Sequence, residues 1–417
     1  MDSWPIILVL LRWCHLLALA SLFGTLVSLA LVAPAGMSEG GATAASARHR
    51  LVSLARQSDG AALLIGVVWT VLQAAAMASA TSFWDTLSAL VTVLSNTRFG
   101  HLVLLRFGLL LAAFPLLGGR DRRLATALTL AGMALAMQGG MGHAGAIGGM
   151  GGANLLFLEA LHLLAAGAWL GGLLPLFLLV GSLPPRPASL ACQRFSIVGL
   201  IAVLLIAGTA LAQSWQWIGN LGGLFGTRYG RIALLKLGLF FALLALAGVN
   251  RFALTERLRV AGDAAPRRLL RVSIAVEAIL GALVVLAAAF LASDTPATHE
   301  TPIWPFAWRP SLDVLSDPNG RRQILIVSLL VGALATVGVL RFRALWLSLA
   351  GCVVVMLLAG PTLVFRCSRS TLIQRRLPLR PPSSPIVRSC AVRLCSRQTV
   401  PCAMVPMREA MVQLRSR

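Results

Sequence analysis

HLLAAGAWLGGLLPL, residues 162–176, sets a histidine at the head of an apolar run, and HLLALASLFGTLVSL, residues 15–29, does the same. In both, a glycine follows nine positions after the histidine, at Gly24 and Gly171. An ionisable side chain is expensive in hydrocarbon and usually marks a pathway or a site. Its recurrence in the same phrase therefore bears on both the architecture and the chemistry.

The surroundings of the two phrases identify the solvent. The chain has 417 residues, of which 58% are hydrophobic and 12% charged, with a mean hydropathy of +0.83. Soluble domains carry roughly 25% charged residues, so this is a membrane protein. Apolar stretches of about 20 residues suffice to cross the bilayer. Ten are expected, near 5–31, 61–80, 100–118, 123–140, 154–180, 195–217, 231–249, 269–291, 323–340 and 344–365. Backbone groups find no partners in lipid, so these spans should be helical. The predicted fold is an all-α polytopic transmembrane helix bundle of about ten helices.

A net charge of +22 can signal nucleic-acid binding, but here the arginines lie in short loops between spans rather than on one soluble face. No nucleic-acid partner is expected. Loops after odd-numbered spans carry sixteen arginines, among them Arg48, Arg50, Arg120, Arg194, Arg251 and Arg271; loops after even-numbered spans carry six, including Arg98 and Arg228. The positive-inside rule then places the N-terminus outside, which in a bacterium is the periplasm, with the protein in the inner membrane.

A second pair of phrases extends the first. Arg98-Phe99-Gly100-His101-Leu102-Val103-Leu104-Leu105-Arg106-Phe107-Gly108 opens the third span, and Arg228-Tyr229-Gly230-Arg231-Ile232-Ala233-Leu234-Leu235-Lys236-Leu237-Gly238 opens the seventh. Spans one to four, residues 1–150, therefore read as a tandem copy of spans five to eight, residues 151–293. An even number of helices per copy puts the pseudo-axis along the membrane normal. Residues 294–365 hold an outer loop and two more helices. The last segment, 366–417, changes character, with eleven arginines, four cysteines and one acid. It has no visible period and reads as a disordered tail.

HLLAAGAWLGGLLPL, TRYGRIALLKLGLFFALLALAGVNR (227–251) and RVSIAVEAILGALVVLAAAFLAS (271–293) together resemble the copper resistance protein D (CopD) family of bacterial inner-membrane proteins. The resemblance implies copper transport, copper homeostasis or resistance, and a CopC-like periplasmic copper carrier as partner. It implies no catalytic activity.

The residues themselves suit copper, since imidazole and thioether are good ligands for Cu(I). His15 and His162 should sit at similar depth near the outer surface. His143 lies in the uncharged glycine-rich loop 139–152, and Met133, Met137 and Met141 form a stripe of spacing four leading to it. The expected metal-contacting set is His15, His162, His143, Met137 and Met141. Each has a bland alternative: methionines at helical spacing usually pack, and a membrane histidine can simply bond a neighbouring helix. Glu159 and His162 share a helix face, but the other copy has Arg12 and His15, so Arg12 and Glu159 could pair across the pseudo-axis. Glu277 could help a cation leave. A different reading keeps His15 and His162 as the two axial ligands of one haem in an electron-transfer protein.

Overall fold

The computed structural model describes residues 4–33, 41–261 and 264–306, with residues 322 and 326. The ninth and tenth spans expected at 323–340 and 344–365, and the tail 366–417, lie outside these residues. Residues up to Pro305 make one unit. It contains eight helical segments long and apolar enough to cross a membrane: Ile6–Val32, Ala42–Met77, Arg98–Leu116, Arg122–Met141, Gly149–Ser182, Pro185–Trp217, Arg228–Leu258 and Ala265–Leu291. The protein is an all-α multi-pass membrane bundle. The second and sixth spans begin well before the positions expected from hydropathy alone, because their first turns are polar and project beyond the apolar stretch.

Alternate loops gather at opposite ends, as the sequence requires of antiparallel spans. At the arginine end, Arg48 donates to the Gly119 carbonyl at 2.6 Å, Arg50 to Ser182 Oγ at 3.2 Å, Arg194 to the Leu31 carbonyl at 3.5 Å and Arg251 to the Ser196 carbonyl at 3.2 Å. At the other end, here the histidine end, Arg98 donates to the Gly145 carbonyl at 2.8 Å, and Arg228 pairs with Asp294 at 3.3 Å. At Gly119, Leu31 and Gly145 these arginines satisfy carbonyls at loop and helix ends that the helices leave without partners.

The first and fifth spans cross at the glycines of the opening phrases. A Cβ on Gly24 would overlap the Gly171 and Gly172 backbone, and one on Gly171 would overlap the Ala20 carbonyl. Small residues at spacing four, Ala20 and Gly24 on one span and Gly167 and Gly171 on the other, let the backbones touch. Such close contact replaces the hydrophobic drive that lipid cannot supply. The fifth span is interrupted here, as helices Gly149–Trp169 and Leu173–Ser182. Pro175 lacks an N–H to offer the Gly171 carbonyl, so the ladder fails one turn earlier, at Leu170–Gly172.

Two short helices absent from the sequence reading precede the third and seventh spans. Phe83–Asn96 begins with a capping box between Ser82 and Asp85, whose two bonds are each 3.1 Å. Hydrogen bonds that it accepts from Ser82 and Thr81 hold the Asp85 carboxyl below its ordinary value. Leu221–Gly226 is its counterpart. Each is followed by a threonine, Thr97 or Thr227, whose Oγ1 accepts from the amide of Gly100 or Gly230 at 3.0 Å. The same hydroxyls donate to the carbonyls of Val93 and Gly223, both at 2.7 Å. A Cβ on either glycine would overlap the preceding helix. The arginine–aromatic–glycine phrase is thus a capped corner, and the glycine is needed for close approach.

Candidate functional site

His15 and His162 occupy matching positions but do not meet equivalent groups. His15 Nδ1 lies 2.9 Å from the Ala62 carbonyl, and His162 Nδ1 lies 2.9 Å from Thr209 Oγ1. Both partners are 47 residues further along the chain, on the next span. A carbonyl can only accept, so His15 carries its proton on Nδ1. Its Nε2 lone pair then accepts from Arg106 Nη1 at 3.2 Å. His15 is 1% exposed and both its ring nitrogens are engaged.

His162 is only half-buried. Thr209 Oγ1 donates its own hydrogen to the Leu205 carbonyl at 2.6 Å, so it accepts from His162 Nδ1–H. That fixes the tautomer with the lone pair on Nε2, for which no hydrogen bond exists among the described residues. This is the state in which imidazole binds a metal. Glu159 lies one turn away, and Lys236 is close enough to both residues to couple electrostatically. In the first half, the residues in the places of Glu159 and Lys236 are Arg12 and Arg106. Arg12 does not pair with Glu159 as the sequence suggested: its Nη1 donates to Ser293 Oγ at 3.1 Å, and its guanidinium lies 5.3 Å from the centre of the Trp69 ring.

The glycine-rich loop bridges the third and fifth spans: Arg98 holds the Gly145 carbonyl, and a Cβ on Gly140 would lie 3.0 Å from Leu102 Cδ1. It forms a short turn at Met137–Met141 and a helical turn at His143–Ala146. A Cβ on Gly139 would lie 2.7 Å from Glu159 Cγ, so the loop packs directly over that carboxylate. The His143 ring is 5.7 Å from the Trp217 ring, and its Nε2 is buried without a partner. Trp217, Gln213 and Thr209 follow at spacing four down one stripe of the sixth span. That stripe covers about 12 Å from the His143 level to His162. Gln213 Nε2 and Gln138 Oε1 are also buried without partners. His143 and His162 are therefore linked along one helix face, with Met137 and Met141 in the turn above, whereas His15 is enclosed in the other half. Met133 is half exposed and takes no part.

Towards the arginine end of the second half, Glu277 is 3% exposed and accepts from Asn250 Nδ2 at 2.8 Å. Asn250 opens a stretch of π-helix, Asn250–Leu254, a distortion frequent at functional sites. Sequence reasoning missed Thr209, Gln213, Trp217 and Asn250, because each is recognisable only once neighbouring spans are in register. It also missed Asp59, a carboxylate in the second span that is fully buried with both oxygens unpartnered. Among the described residues, no group of three or more His, Cys, Asp or Glu side chains forms a ready metal cage. One haem held between His15 and His162 would need a free nitrogen on each, and His15 has none.

Comparison with known proteins matches residues 1–153 to the family profile described as copper resistance protein D-like, N-terminal domain, and residues 189–291 to copper resistance protein D. Copper resistance protein D of Pseudomonas syringae pv. tomato is 28% identical over 255 residues, 56% of this chain and 80% of that protein. Copper transport protein CutJ of Bacillus subtilis is 34% identical over 111 residues, which is 26% of this chain and 20% of CutJ. Inner membrane protein YebZ of Escherichia coli is 30% identical over 141 residues, 33% of this chain and 48% of YebZ. The chain thus spans a fifth of the Bacillus protein and about half of the Escherichia protein. No solved structure matches it.

Proposed function

Because this chain belongs to the copper resistance protein D family, we propose that it carries copper across a bacterial inner membrane, from the periplasmic side toward the cytoplasm. The second four-helix half carries the ion. The observation that supports this most is the contrast in ring nitrogens: His162 keeps a free Nε2 beside a carboxylate, while the Nε2 of His15 is taken by a guanidinium.

In this reading the histidine end faces the periplasm, as the arginine distribution suggests, and a CopC-like carrier delivers copper there. Met137, Met141 and His143 make first contact. The ion passes along the Gln213 stripe to His162, where Glu159 offsets its charge, and leaves past Glu277. A route of few, mostly neutral ligands suits transport, because each site must release what it captures. The two four-helix halves descend from one duplicated unit, and of the matching positions only the second half's carries an acid, Glu159, where the first has Arg12.

Copper accumulation in cells tests the reading. Cells making the protein should accumulate more copper than cells without it, and His162→Ala should return them to background at unchanged protein level. Equal accumulation with and without the protein overturns transport; wild-type accumulation by His162→Ala overturns the site. Orientation is checked separately by labelling from outside, which should reach a cysteine introduced at Gly148 but not one at Asp263.

A further inference from the structure

Copper handling leaves one cluster of the first half unexplained. Arg12, Trp69 and Arg106 surround His15 from three spans. The Arg12 guanidinium lies 5.3 Å from the Trp69 ring centre, the Trp69 and His15 rings stack at 6.2 Å, and Arg106 Nη1 is 3.2 Å from His15 Nε2. Arg106 and Trp69 are each 1% exposed. Four atoms here are buried without a hydrogen-bond partner: Arg12 Nε, Trp69 Nε1, Arg106 Nε and Arg106 Nη2.

All four are N–H donors. None of the described carboxylates forms an ion pair with either arginine. Water can satisfy donors, but it does not neutralise two guanidinium charges drawn into one buried cluster. Arginine keeps its proton in proteins, and an uncompensated buried charge costs several kcal/mol. A cation such as copper would worsen the imbalance, whereas an anion would correct it.

We propose that Arg12, Trp69 and Arg106 bind an oxyanion, a phosphate or carboxylate group, between the first three spans. Each guanidinium is anchored by one nitrogen and presents others: Arg12 Nη1 is held by Ser293 Oγ, and Arg106 Nη1 by His15 Nε2. His15 is thus a positioning residue that aims Arg106 Nε and Nη2 away from itself. Two guanidinium forks and one indole N–H are a donor set suited to a planar or tetrahedral oxyanion. The Arg12–Ser293 bond is exposed, which gives the cluster a path to the histidine end. The corresponding place in the second half holds two residues of opposite charge, Glu159 and Lys236, and has no such need.

The anion could be free in solution or belong to a lipid headgroup, and two measurements separate the sources. Inorganic phosphate is titrated calorimetrically into the protein in phosphatidylcholine nanodiscs, against potassium chloride of equal ionic strength. Phosphatidylglycerol retained per protein after detergent extraction is counted by native mass spectrometry. A single phosphate site that Arg106→Gln weakens by at least about tenfold, the worth of one charge-assisted hydrogen bond, supports a free oxyanion. One retained phosphatidylglycerol that Arg106→Gln loses supports a headgroup. Trp69→Phe keeps the ring and removes only the indole donor, so it should weaken either ligand by about threefold even where the arginine variant folds poorly. Absence of both ligands from wild type overturns the proposal, as does unchanged binding in Arg106→Gln and Trp69→Phe.

Discussion

In the first four-helix half a buried histidine lies between two arginines; in the second, the histidine at the same relative place lies beside a glutamate and a lysine. Backbone setting, partner separation and Nδ1 bond length are alike in the two. The chemistry differs because the neighbours that control the Nε2 lone pair differ. A histidine is a ligand only when something else carries its second hydrogen bond and nothing claims its free nitrogen. Repetition in sequence therefore conveys position, while charge at the flanking positions decides use.

The largest effect should come from the seam that joins the halves. Gly171→Leu places a side chain against the Ala20 carbonyl with no room to move. It should cost more than about 3 kcal/mol and remove folded protein from the membrane, measured as loss of monodisperse protein on extraction. Normal yield and stability would show that the halves do not depend on this contact.

Next in size is the pair of histidine variants, which tests the contrast itself. His162→Ala should weaken copper binding at least about tenfold, the loss of one metal ligand. His15→Ala should change copper affinity less than about threefold while lowering thermal stability, because it leaves Arg106 Nη1 unpartnered. Equilibrium copper titration of the purified variants measures both. Equal losses of copper affinity would restore a symmetric site and erase the distinction drawn above.

A smaller effect is expected at Glu277. Glu277→Gln keeps the bond to Asn250 but removes the charge, so copper transport should slow about threefold with binding at His162 unchanged, as read by uptake into vesicles alongside titration. The smallest belongs to Met133→Leu, an exposed and nearly isosteric change that should alter stability by less than about 0.5 kcal/mol and leave copper binding as it was. An effect there comparable with His162→Ala would move the copper route onto the lipid-facing stripe.

Much of the bundle was legible in the sequence, since lipid permits few backbone arrangements. Hydropathy located all eight described spans, and the recurring histidine-to-glycine interval was noticed, but that its glycines mark the crossing of the first and fifth spans came only from the packing. The arginine–aromatic–glycine phrase was noticed as a repeat, but its physical basis, a threonine cap one residue earlier, was not. The site was less legible. His162 and His143 were singled out for their chemistry, yet the stripe Thr209–Gln213–Trp217 that links them depends on the register of one span against another. Likewise, Arg106 stood in the sequence only as a member of the repeated phrase, and only packing shows that it turns inward to His15.

The glycine seam also sets a schedule. Gly171 is made 147 residues after Gly24, and the three atoms nearest a Cβ on Gly24 all belong to Gly171 and Gly172. At ribosomal speeds of roughly 5–20 residues per second, the first span waits about 7–30 seconds in the bilayer with this face uncovered. The Trp13 indole waits longer still for the Ala282 carbonyl, 269 residues downstream, which it meets at 2.8 Å. During that interval the nascent first half is an open-sided intermediate whose exposed stripe of small residues is a docking face for any other single span in the membrane.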